Sequence, residues 1–423
     1  MLASASGAER SDSNAAKKAI VRRSLLFVTD VFPFPLDRGQ HVRVYNLIAA
    51  CARAFDVTFV GPPPVHPEYA GAVESLCARM VYTKGPPPSW RERMAVVAGA
   101  ISAAPGLPRL GRVRTYEPFV AALREIDLNA YDLIWAERLH IARLCRSVRA
   151  RTIVDLDDLE HLKIARLLKL YPRRFLAREW YRYALYRSAE LRGSKRFLAS
   201  VVCSEQDRAY LSGHGCDNAV IVPNGVSLPG NGPPSSGPRR ASPGAPRIAF
   251  LGNLGYAPNA DAVAFFAHDV LPLLRTRLPA ATFDVLGPGA TPELAAAYGS
   301  LVHFRGFVED LGETLSEYDM LVAPIRFGGG TKLKVLDAMA HRIPLVTTSV
   351  GAEGLSLVHG EHAWIADTAD AFVEGVTALA QDLVFAQGMA SRAYNLARDR
   401  FSWAAIQDQM VEWLTHLPPP PAS

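Results

Sequence analysis

The sequence predicts an α/β protein of two facing Rossmann-like, doubly wound domains. Short apolar runs alternate with longer stretches of helical periodicity, and this alternation occurs twice along the 423 residues. Several of the apolar runs are continuous, as expected of parallel strands that are covered on both faces. A Pro/Gly/Ser-rich stretch separates the two series, and a chain of this length can form a core in each of them.

The first series predicts an N-terminal Rossmann-like domain over residues 24–227, preceded by a disordered tail over 1–23. Helical periodicity covers residues 38–54 and 164–190. The predicted strands cover residues 24–29, 56–60, 80–83, 131–136, 151–156, 199–203 and 219–222.

The second series predicts a C-terminal Rossmann-like domain over residues 247–400, after an interdomain linker over 228–246. A last helix over 401–417 is expected to pack back toward the N-terminal domain, ahead of a tail over 418–423. Predicted strands cover residues 247–251, 282–286, 301–304, 319–323 and 344–348. Doubly wound sheets bind ligands beyond the carboxyl ends of their strands, so the site is expected in the cleft between the domains.

Composition excludes several classes of protein. Apolar residues make up 49% and charged residues 21% of the chain, which is typical of a globular protein. The five cysteines are scattered without a CxxC pair, which argues against a disulfide framework or a zinc site and favours a cytoplasmic protein. No run reaches about 18 apolar residues, so no transmembrane helix is expected. The net charge of +5 fits phosphate-bearing ligands or an anionic membrane, and no nucleic-acid-binding module accompanies it.

The most informative segment is APIRFGGGTKLKVLDAMA, residues 323–340. It reads as a strand, a loop with three glycines, and a helix. Gly328, Gly329 and Gly330 allow the backbone to approach a ligand closely, and Thr331 is a suitable N-cap. Unpaired N–H groups at a helix N-terminus then form a site for an anion such as a diphosphate.

Charged side chains surround this predicted anion site. Arg326 can bind phosphate oxygens in a bidentate manner, and Lys332 and Lys334 add positive charge. Asp337 lies nearly two turns into the helix, where its carboxylate is expected to accept both hydroxyls of a ribose. The alternative interpretation is a tight strand–helix turn beside a solvated basic surface.

These motifs resemble those of the retaining glycosyltransferases of family 4, which have the GT-B fold, over residues 24–415. The similar segments are VPNGV (222–226), GNLGYAPN (252–259), VHFRGFV (302–308), DMLVAP (319–324) and DAMA (337–340) followed by Pro344. The resemblance places Gly252 and Asn253 near the donor phosphates and assigns reading of the base to the backbone around Gly306 and Phe307. It also brings Gly39 to the donor phosphate from across the cleft.

The resemblance implies transfer of a sugar from a nucleotide sugar, UDP- or GDP-linked, to a glycan, lipid-linked or small-molecule hydroxyl, with retention and without a metal or cofactor. It implies catalytic roles for Arg326, Lys332 and Asp157. Asp157 stands where many relatives carry a histidine. Of two glutamates in the family pattern, the first falls on Gly329 and the second on Asp337. Asp155-Leu-Asp157 also looks like a DxD metal motif, which is common by chance and is discounted.

Residues 163–196 carry eleven Lys/Arg against two acidic residues, with Trp180 among them. Such a stretch fits peripheral contact with the inner face of a membrane, or else a solvated face on packed helices. Two other functions stay open: a nucleotide-sugar epimerase, and a non-catalytic subunit that binds a nucleotide sugar or glycan. A nicotinamide dehydrogenase is disfavoured, because no GxGxxG follows Val28 or Phe250.

Overall fold

The computed structural model describes residues 22–36, 38–84, 117–171, 177–229 and 244–419. The predicted N-terminal tail lies outside the described residues except for positions 22 and 23. The predicted linker lies outside them over 230–243, and the predicted C-terminal tail over 420–423. Within the described ranges, no helix has both the length and the hydrophobicity needed to cross a bilayer.

The N-terminal domain is centred on a seven-stranded parallel sheet with the order β3-β2-β1-β4-β5-β6-β7. The order reverses between β1 and β4, and such a reversal opens a crevice for ligands at the carboxyl ends of the strands. The strands are β1 (Arg23–Val28), β2 (Phe55–Gly61), β3 (Arg79–Tyr82), β4 (Leu133–Glu137), β5 (Thr152–Asp157), β6 (Ala199–Val202) and β7 (Ala219–Ile221). The α-helices are α1 (Gly39–Ala54), α2 (Ala70–Glu74), α3 (Glu117–Arg124), α4 (Leu139–Ala142), α5 (Glu160–Leu170), α6 (Ala177–Ser194) and α7 (Glu205–Gly213).

The C-terminal domain contains a six-stranded parallel sheet with the order β10-β9-β8-β11-β12-β13. Its reversal lies between β8 and β11. The strands are β8 (Arg247–Leu251), β9 (Thr282–Leu286), β10 (His303–Gly306), β11 (Met320–Ala323), β12 (Leu345–Thr347) and β13 (Trp364–Ile365). The α-helices are α8 (Ala257–Phe265), α9 (Leu271–Arg277), α10 (Pro292–Tyr298), α11 (Leu311–Leu315), α12 (Leu333–Ala340), α13 (Ser349–Ala352), α14 (Ala369–Gln381) and α15 (Leu383–Leu396), followed by α16 (Trp403–His416).

The continuous apolar runs form the buried central strands. All four residues Leu25–Val28 of β1 are fully buried, as are Leu321, Val322 and Ala323 of β11. Helices cover both faces of each sheet, so these strands need no polar alternation. The prediction of an α/β protein with two parallel sheets is confirmed.

The last helix, α16, returns to the N-terminal domain and packs against α1. Trp403, Ile406, Met410 and Leu414 join the apolar core beneath the first sheet. Gly225 permits this approach, because a Cβ atom there would lie 2.7 Å from the Trp403 ring. The chain therefore crosses between the domains twice.

One helical prediction differs from the structure. The stretch predicted as helical over 164–190 is interrupted, because α5 ends at Leu170 and Tyr171 adopts φ −127° and ψ 64°. A proline at position 172 disfavours helical geometry for the preceding residue. In the C-terminal domain, a π-helical turn (Phe266–Val270) joins α8 and α9 into one helical stretch.

Candidate active site

The two domains meet at the carboxyl ends of their sheets. A Cβ atom on Gly39, at the start of α1, would lie 2.6 Å from Leu333 Cδ1 at the start of α12. A Cβ atom on Gly354 would similarly lie 3.0 Å from Ser204 Cβ after β6. The loop between β11 and α12, called here the donor loop (residues 327–332), therefore lies at the interface between the domains.

Cationic side chains hold the carbonyl groups of the donor loop. Arg166 Nη1 donates to the Gly328 carbonyl at 2.7 Å. Lys332 Nζ donates to the carbonyls of Gly329 and Gly330 at 3.1 and 2.5 Å. The positive φ angles of Gly328 (+138°) and Gly330 (+58°) make this arrangement of successive peptides possible.

Holding these carbonyls also fixes the amide groups of the loop. In a planar trans peptide the N–H points opposite to the C=O, so the N–H groups of Gly329, Gly330 and Thr331 point away from the two cations. No hydrogen-bond acceptor for these three amides occurs among the described residues. Thr331 Oγ1 is likewise buried without a hydrogen-bond partner there. Successive free amides beside a free hydroxyl form an anion site.

The prediction that Thr331 caps the following helix is wrong. Helix α12 begins at Leu333, and its N-cap is Lys332, with φ −86° and ψ 100°. The loop continues one residue further than predicted, because the Lys332 side chain turns back onto the loop carbonyls. Burial lowers the pKa of Lys332, whose side chain is enclosed by the loop.

Lys334 and Asp337 lie about one turn apart on α12. Lys334 Nζ donates to Asn259 Oδ1 at 2.7 Å and lies 5.1 Å from the centre of the Phe250 ring. Burial, with the nearby charge of Lys332, lowers the pKa of Lys334 to about 7. Burial raises the pKa of Asp337 to about 7, against the opposing effect of Lys334. Both groups are therefore poised to change charge near neutral pH.

Arg326 is paired with a carboxylate of α8. Its guanidinium donates to both carboxylate oxygens of Asp261, at 2.9 and 2.5 Å, and stacks over the Phe265 ring at 4.8 Å. Tyr171 of the N-terminal domain donates to the same carboxylate. The sequence-predicted phosphate ligand is thus held in an ion pair with a residue that sequence reasoning missed.

The remaining predicted donor residues lie on neighbouring loops of the C-terminal sheet. Asn253 and Gly252 follow β8, where Asn259 Nδ2 donates to the Asn253 carbonyl at 2.8 Å. Gly306, with φ +73°, ends β10, and the Phe307 side chain beside it is 70% exposed. Asn259 therefore links the loop after β8 to Lys334 of α12.

On the N-terminal side, Asp157 and Asp158 have different surroundings. Asp157, at φ +58°, accepts hydrogen bonds from Arg138 Nη2 at 2.9 Å and Asn224 Nδ2 at 3.1 Å. Burial alone would raise the pKa of Asp157, but Arg138 and Arg43 hold it at about 2. Asp157 is therefore the buried centre of an ion-pair network.

Asp158 is the residue that faces the donor loop. A Cβ atom on Gly330 would lie 1.8 Å from Asp158 Oδ1, and one on Gly329 would lie 3.0 Å from Asp158 Oδ2. Burial and the neighbouring charge of Asp157 raise the pKa of Asp158 to about 6. The structure thus places Asp158 rather than Asp157 against the donor loop, and the catalytic role expected for Asp157 stays a prediction.

Among the described residues, Asp157, Asp158 and Cys203 bring potential metal-ligand atoms within 4.8 Å of one another. Cys203 Sγ donates to Asp157 at 2.9 Å, and burial raises the pKa of the thiol. The other carboxylate of the DxD motif, Asp155, is bound bidentately by Arg43 at 2.9 and 3.0 Å. A divalent ion here would compete with two arginines, so these residues are a poor fit for a metal site.

A protein-family model matches a segment of the C-terminal domain. Residues 245–382 match the family model described as Glycosyl transferases group 1. This segment of the C-terminal domain therefore matches a glycosyltransferase family over less than half of the chain. The predictions that the chain is an enzyme and a glycosyltransferase are therefore confirmed, whereas assignment to family 4 stays a prediction.

Solved structures extend the similarity to the whole fold. Sucrose-phosphate synthase from Thermosynechococcus elongatus has a TM-score of 0.67 at 18% identity, with 93% of this chain and 98% of that chain covered. Anabaena HepE in complex with UDP and glucose has a TM-score of 0.61 at 14% identity, with 94% and 100% covered. WaaG, a glycosyltransferase involved in lipopolysaccharide biosynthesis, has a TM-score of 0.59 at 14% identity, with 93% and 100% covered. These similarities confirm the predicted two-domain fold.

A sequence relative is an uncharacterized 44.6 kDa protein in the cps region of Klebsiella pneumoniae. It is 26% identical over 164 residues. The match spans 36% of this chain and 42% of that protein.

Proposed function

We propose that the protein transfers a sugar from a nucleotide-sugar donor, held by the donor loop, to an acceptor hydroxyl on the N-terminal side of the cleft. The observation that carries this proposal is a group of three donor-loop amides beside the buried Thr331 hydroxyl, none of which has a hydrogen-bond partner among the described residues. Together with the start of α12, these groups suit the β-phosphate of a nucleoside diphosphate. HepE, which shares the fold, has been solved with UDP and with UDP-glucose, so a UDP-sugar is the first candidate, with a GDP-sugar next.

The proposed donor contacts follow the loop geometry. Gly328, Gly329, Gly330 and Thr331 bind the diphosphate through the backbone, and Gly39 closes on it from the other domain. Lys334 adds positive charge and Asp337 binds the ribose. Gly252 and Asn253 border the phosphates, while Gly306 and Phe307 provide the surface for the base. Lys332 acts through the loop carbonyls that it holds, and Arg326 acts from its ion pair with Asp261.

The proposed chemistry is electrostatic and needs no metal or cofactor from the protein. The bond between the anomeric carbon and the β-phosphate oxygen breaks, and negative charge develops on that oxygen. Preorganised amides stabilise this charge, and removing one such donor typically costs about 10²–10³ in rate. The acceptor hydroxyl attacks from the same face, so configuration is retained, and its proton passes to the leaving phosphate oxygen. Asp158 abuts the donor loop and is proposed to lie beside this centre, with Asp157 behind it in the ion pair with Arg138.

Thermal shifts with UDP, GDP, ADP and dTDP, with and without EDTA, test the donor site. A nucleotide at 100 times its dissociation constant stabilises the folded protein by about 2.7 kcal/mol, which corresponds to several degrees. We expect one nucleotide to give this shift, EDTA to leave it unchanged, and Asp337→Ala to abolish it. Glu374→Ala removes an exposed carboxylate of α14 and serves as the matched control. The absence of a shift with any nucleotide in the wild type would contradict the proposal.

Transfer to an acceptor distinguishes this proposal from the two alternatives. An epimerase converts the nucleotide sugar without any acceptor, and a non-catalytic subunit binds it without turnover. Mass spectrometry of the donor incubated with glycan, lipid-linked and small-molecule acceptors separates the three outcomes, because only a transferase forms a glycosylated acceptor.

We further propose that α6 contacts the cytoplasmic face of an anionic membrane. Trp180 and Tyr181 on this helix are 55% and 50% exposed, and Arg187 and Arg192 are exposed further along it. Part of the predicted basic charge is already used, because Lys163, Arg166 and Arg182 pair with acidic side chains. Residues 172–176 of the stretch lie outside the described residues.

Vesicle sedimentation tests this contact. Binding to vesicles with anionic lipids should exceed binding to neutral vesicles, because arginine charge and exposed aromatic rings act together at an interface. Trp180→Ala with Tyr181→Ala should reduce it. Equal sedimentation with both kinds of vesicle, or no effect of the double substitution, would contradict the contact.

A further inference from the structure

Helix α5 and the residues that flank it connect the N-terminal domain to the C-terminal domain by side-chain contacts. Asp158, just before this helix, abuts Gly330, and Tyr171, just after it, donates to Asp261 of α8. Between them, Arg166 reaches the donor loop itself. Helix α5 and its two flanking residues thus contact the C-terminal domain at three points around the predicted diphosphate site.

Arg166 is fixed by three contacts with the C-terminal domain. Its Nη1 donates to the Gly328 carbonyl at 2.7 Å and also lies 2.7 Å from Glu353 Oε2. Its Nη2 donates to Glu353 Oε1 at 2.9 Å. The bidentate pair sets the plane of the guanidinium, and that plane directs the third contact to the loop. A lysine carries the same charge but lacks the two-pronged geometry.

The Gly328 carbonyl is the point of the loop where such a contact matters most. Gly328 has φ +138°, and glycine reaches other conformations at little cost, so the peptide between Gly328 and Gly329 can rotate unless a partner holds it. Rotation of that peptide would turn the Gly329 N–H away from the other loop amides. Lys332 holds the next two carbonyls from within the C-terminal domain. Of the described side chains that donate to loop carbonyls, Arg166 alone comes from the N-terminal domain.

We infer that Arg166 is a positioning residue, which aims the first β-phosphate-binding amide of the donor loop through the Gly328 carbonyl while the two domains are in contact. This inference rests on the proposed function. It makes phosphate binding depend on contact between the domains, because all the loop amides are aligned only when α5 packs against the donor loop. Glu353 contributes by holding Arg166.

Paired binding measurements with a nucleoside diphosphate and its monophosphate test the inference. UDP and UMP are used first, and the pair of another base replaces them if the nucleotide panel selects it. The monophosphate lacks the β-phosphate, so Arg166→Ala should weaken UDP binding and leave UMP binding unchanged. The expected loss is about 10- to 100-fold, the range for one charge-assisted hydrogen bond. Arg166→Lys should lie between wild type and Arg166→Ala, and Glu353→Gln should show a smaller loss in the same direction.

Lys169→Ala is the matched control, because Lys169 is an exposed cation on the same helix. It should bind both nucleotides like the wild type. An unchanged ratio of UDP to UMP affinity in Arg166→Ala overturns the inference, and so does an equal loss for both nucleotides, which indicates general damage. If Arg166→Ala does not fold, the ratio in Arg166→Lys decides. A wild type that binds no nucleotide refutes the proposed function itself, which is a different result from an unchanged ratio.

Discussion

The contact between Gly330 and Asp158 allows a matched test of how the domains meet. A methyl group added to Gly330 would lie 1.8 Å from Asp158 Oδ1 and 2.7 Å from its Cγ. Gly299 also has a positive φ, +53°, with ψ −129°, and a methyl group there would meet nothing within 4 Å. Alanine has a positive-φ backbone cost at both positions. Only at Gly330 must it also displace a carboxylate.

Displacing a packed group typically costs about 1–3 kcal/mol. We therefore expect Gly330→Ala to lower the free energy of unfolding by about 1–3 kcal/mol more in the wild-type background than in an Asp158→Ala background. In the Asp158→Ala background the three atoms nearest the new methyl group are absent. Gly299→Ala is the control and should cost the same in both backgrounds, because a methyl group there meets nothing within 4 Å.

Differential scanning calorimetry of the six proteins measures this cycle. For a domain of 150–250 residues, each kcal/mol shifts the unfolding midpoint by roughly 2–4 °C. An equal loss from Gly330→Ala in the wild-type and Asp158→Ala backgrounds would refute the contact. A larger loss for Gly330→Ala that persists in the Asp158→Ala background would assign the effect to the loop backbone alone.

Three further predictions concern charge. The pKa of Asp158 is raised from 3.8 to about 6, so between those pH values the folded state retains a proton that the unfolded chain has lost, and stability falls as the pH rises. Asp158→Asn should therefore raise the unfolding midpoint at pH 8 but not at pH 3.5. An equal gain at both pH values in calorimetry would contradict this. Because the pKa of Lys334 is lowered to about 7, the affinity for a nucleoside diphosphate, measured by titration calorimetry, should rise from pH 8 to pH 6 as Lys334 gains charge. Lys334→Met and the companion variant Asp337→Asn are measured in the same way. If the rise persists in Lys334→Met, a group other than Lys334 causes it. Arg43→Met leaves the Asp155 carboxylate buried without its bidentate partner and should destabilise by about 3–5 kcal/mol in denaturant unfolding, whereas an unchanged midpoint would refute the importance of the pair.

The donor loop could be predicted because its chemistry is local in the sequence. Three consecutive glycines, a following helix and two lysines lie within about ten residues, so their proximity does not depend on the rest of the fold. The contacts of Arg166 and Arg326 could not be predicted in this way. Their partners Glu353 and Asp261 lie 187 and 65 residues away in the chain, and only the meeting of two domains or of two helices brings them together.

The assignment between Asp157 and Asp158 shows a different limit. The two residues are adjacent, and the pattern at the end of β5 favours either one equally. The positive φ of Asp157 turns its carboxylate into the network of Arg138 and Asn224 and leaves Asp158 to face the cleft. Such a backbone angle is uncommon for a residue other than glycine and is stabilised here by long-range hydrogen bonds. Periodicity along the sequence carries no signal for it.

The glycine at position 329, where the family resemblance expects a glutamate, has a steric explanation. A Cβ atom at Gly329 would already lie 3.0 Å from Asp158 Oδ2, so a longer acidic side chain there would compete with Asp158 for the same space and add a like charge. The chain thus places one carboxylate at this point, and it comes from the N-terminal domain. The cations lie on the carbonyl side of the loop peptides, where Arg166 and Lys332 bind the carbonyl oxygens. They thereby polarise the peptides whose N–H groups point toward the proposed phosphate site. Charge on one side of the loop therefore strengthens anion binding on the other, without a cation having to contact the phosphate.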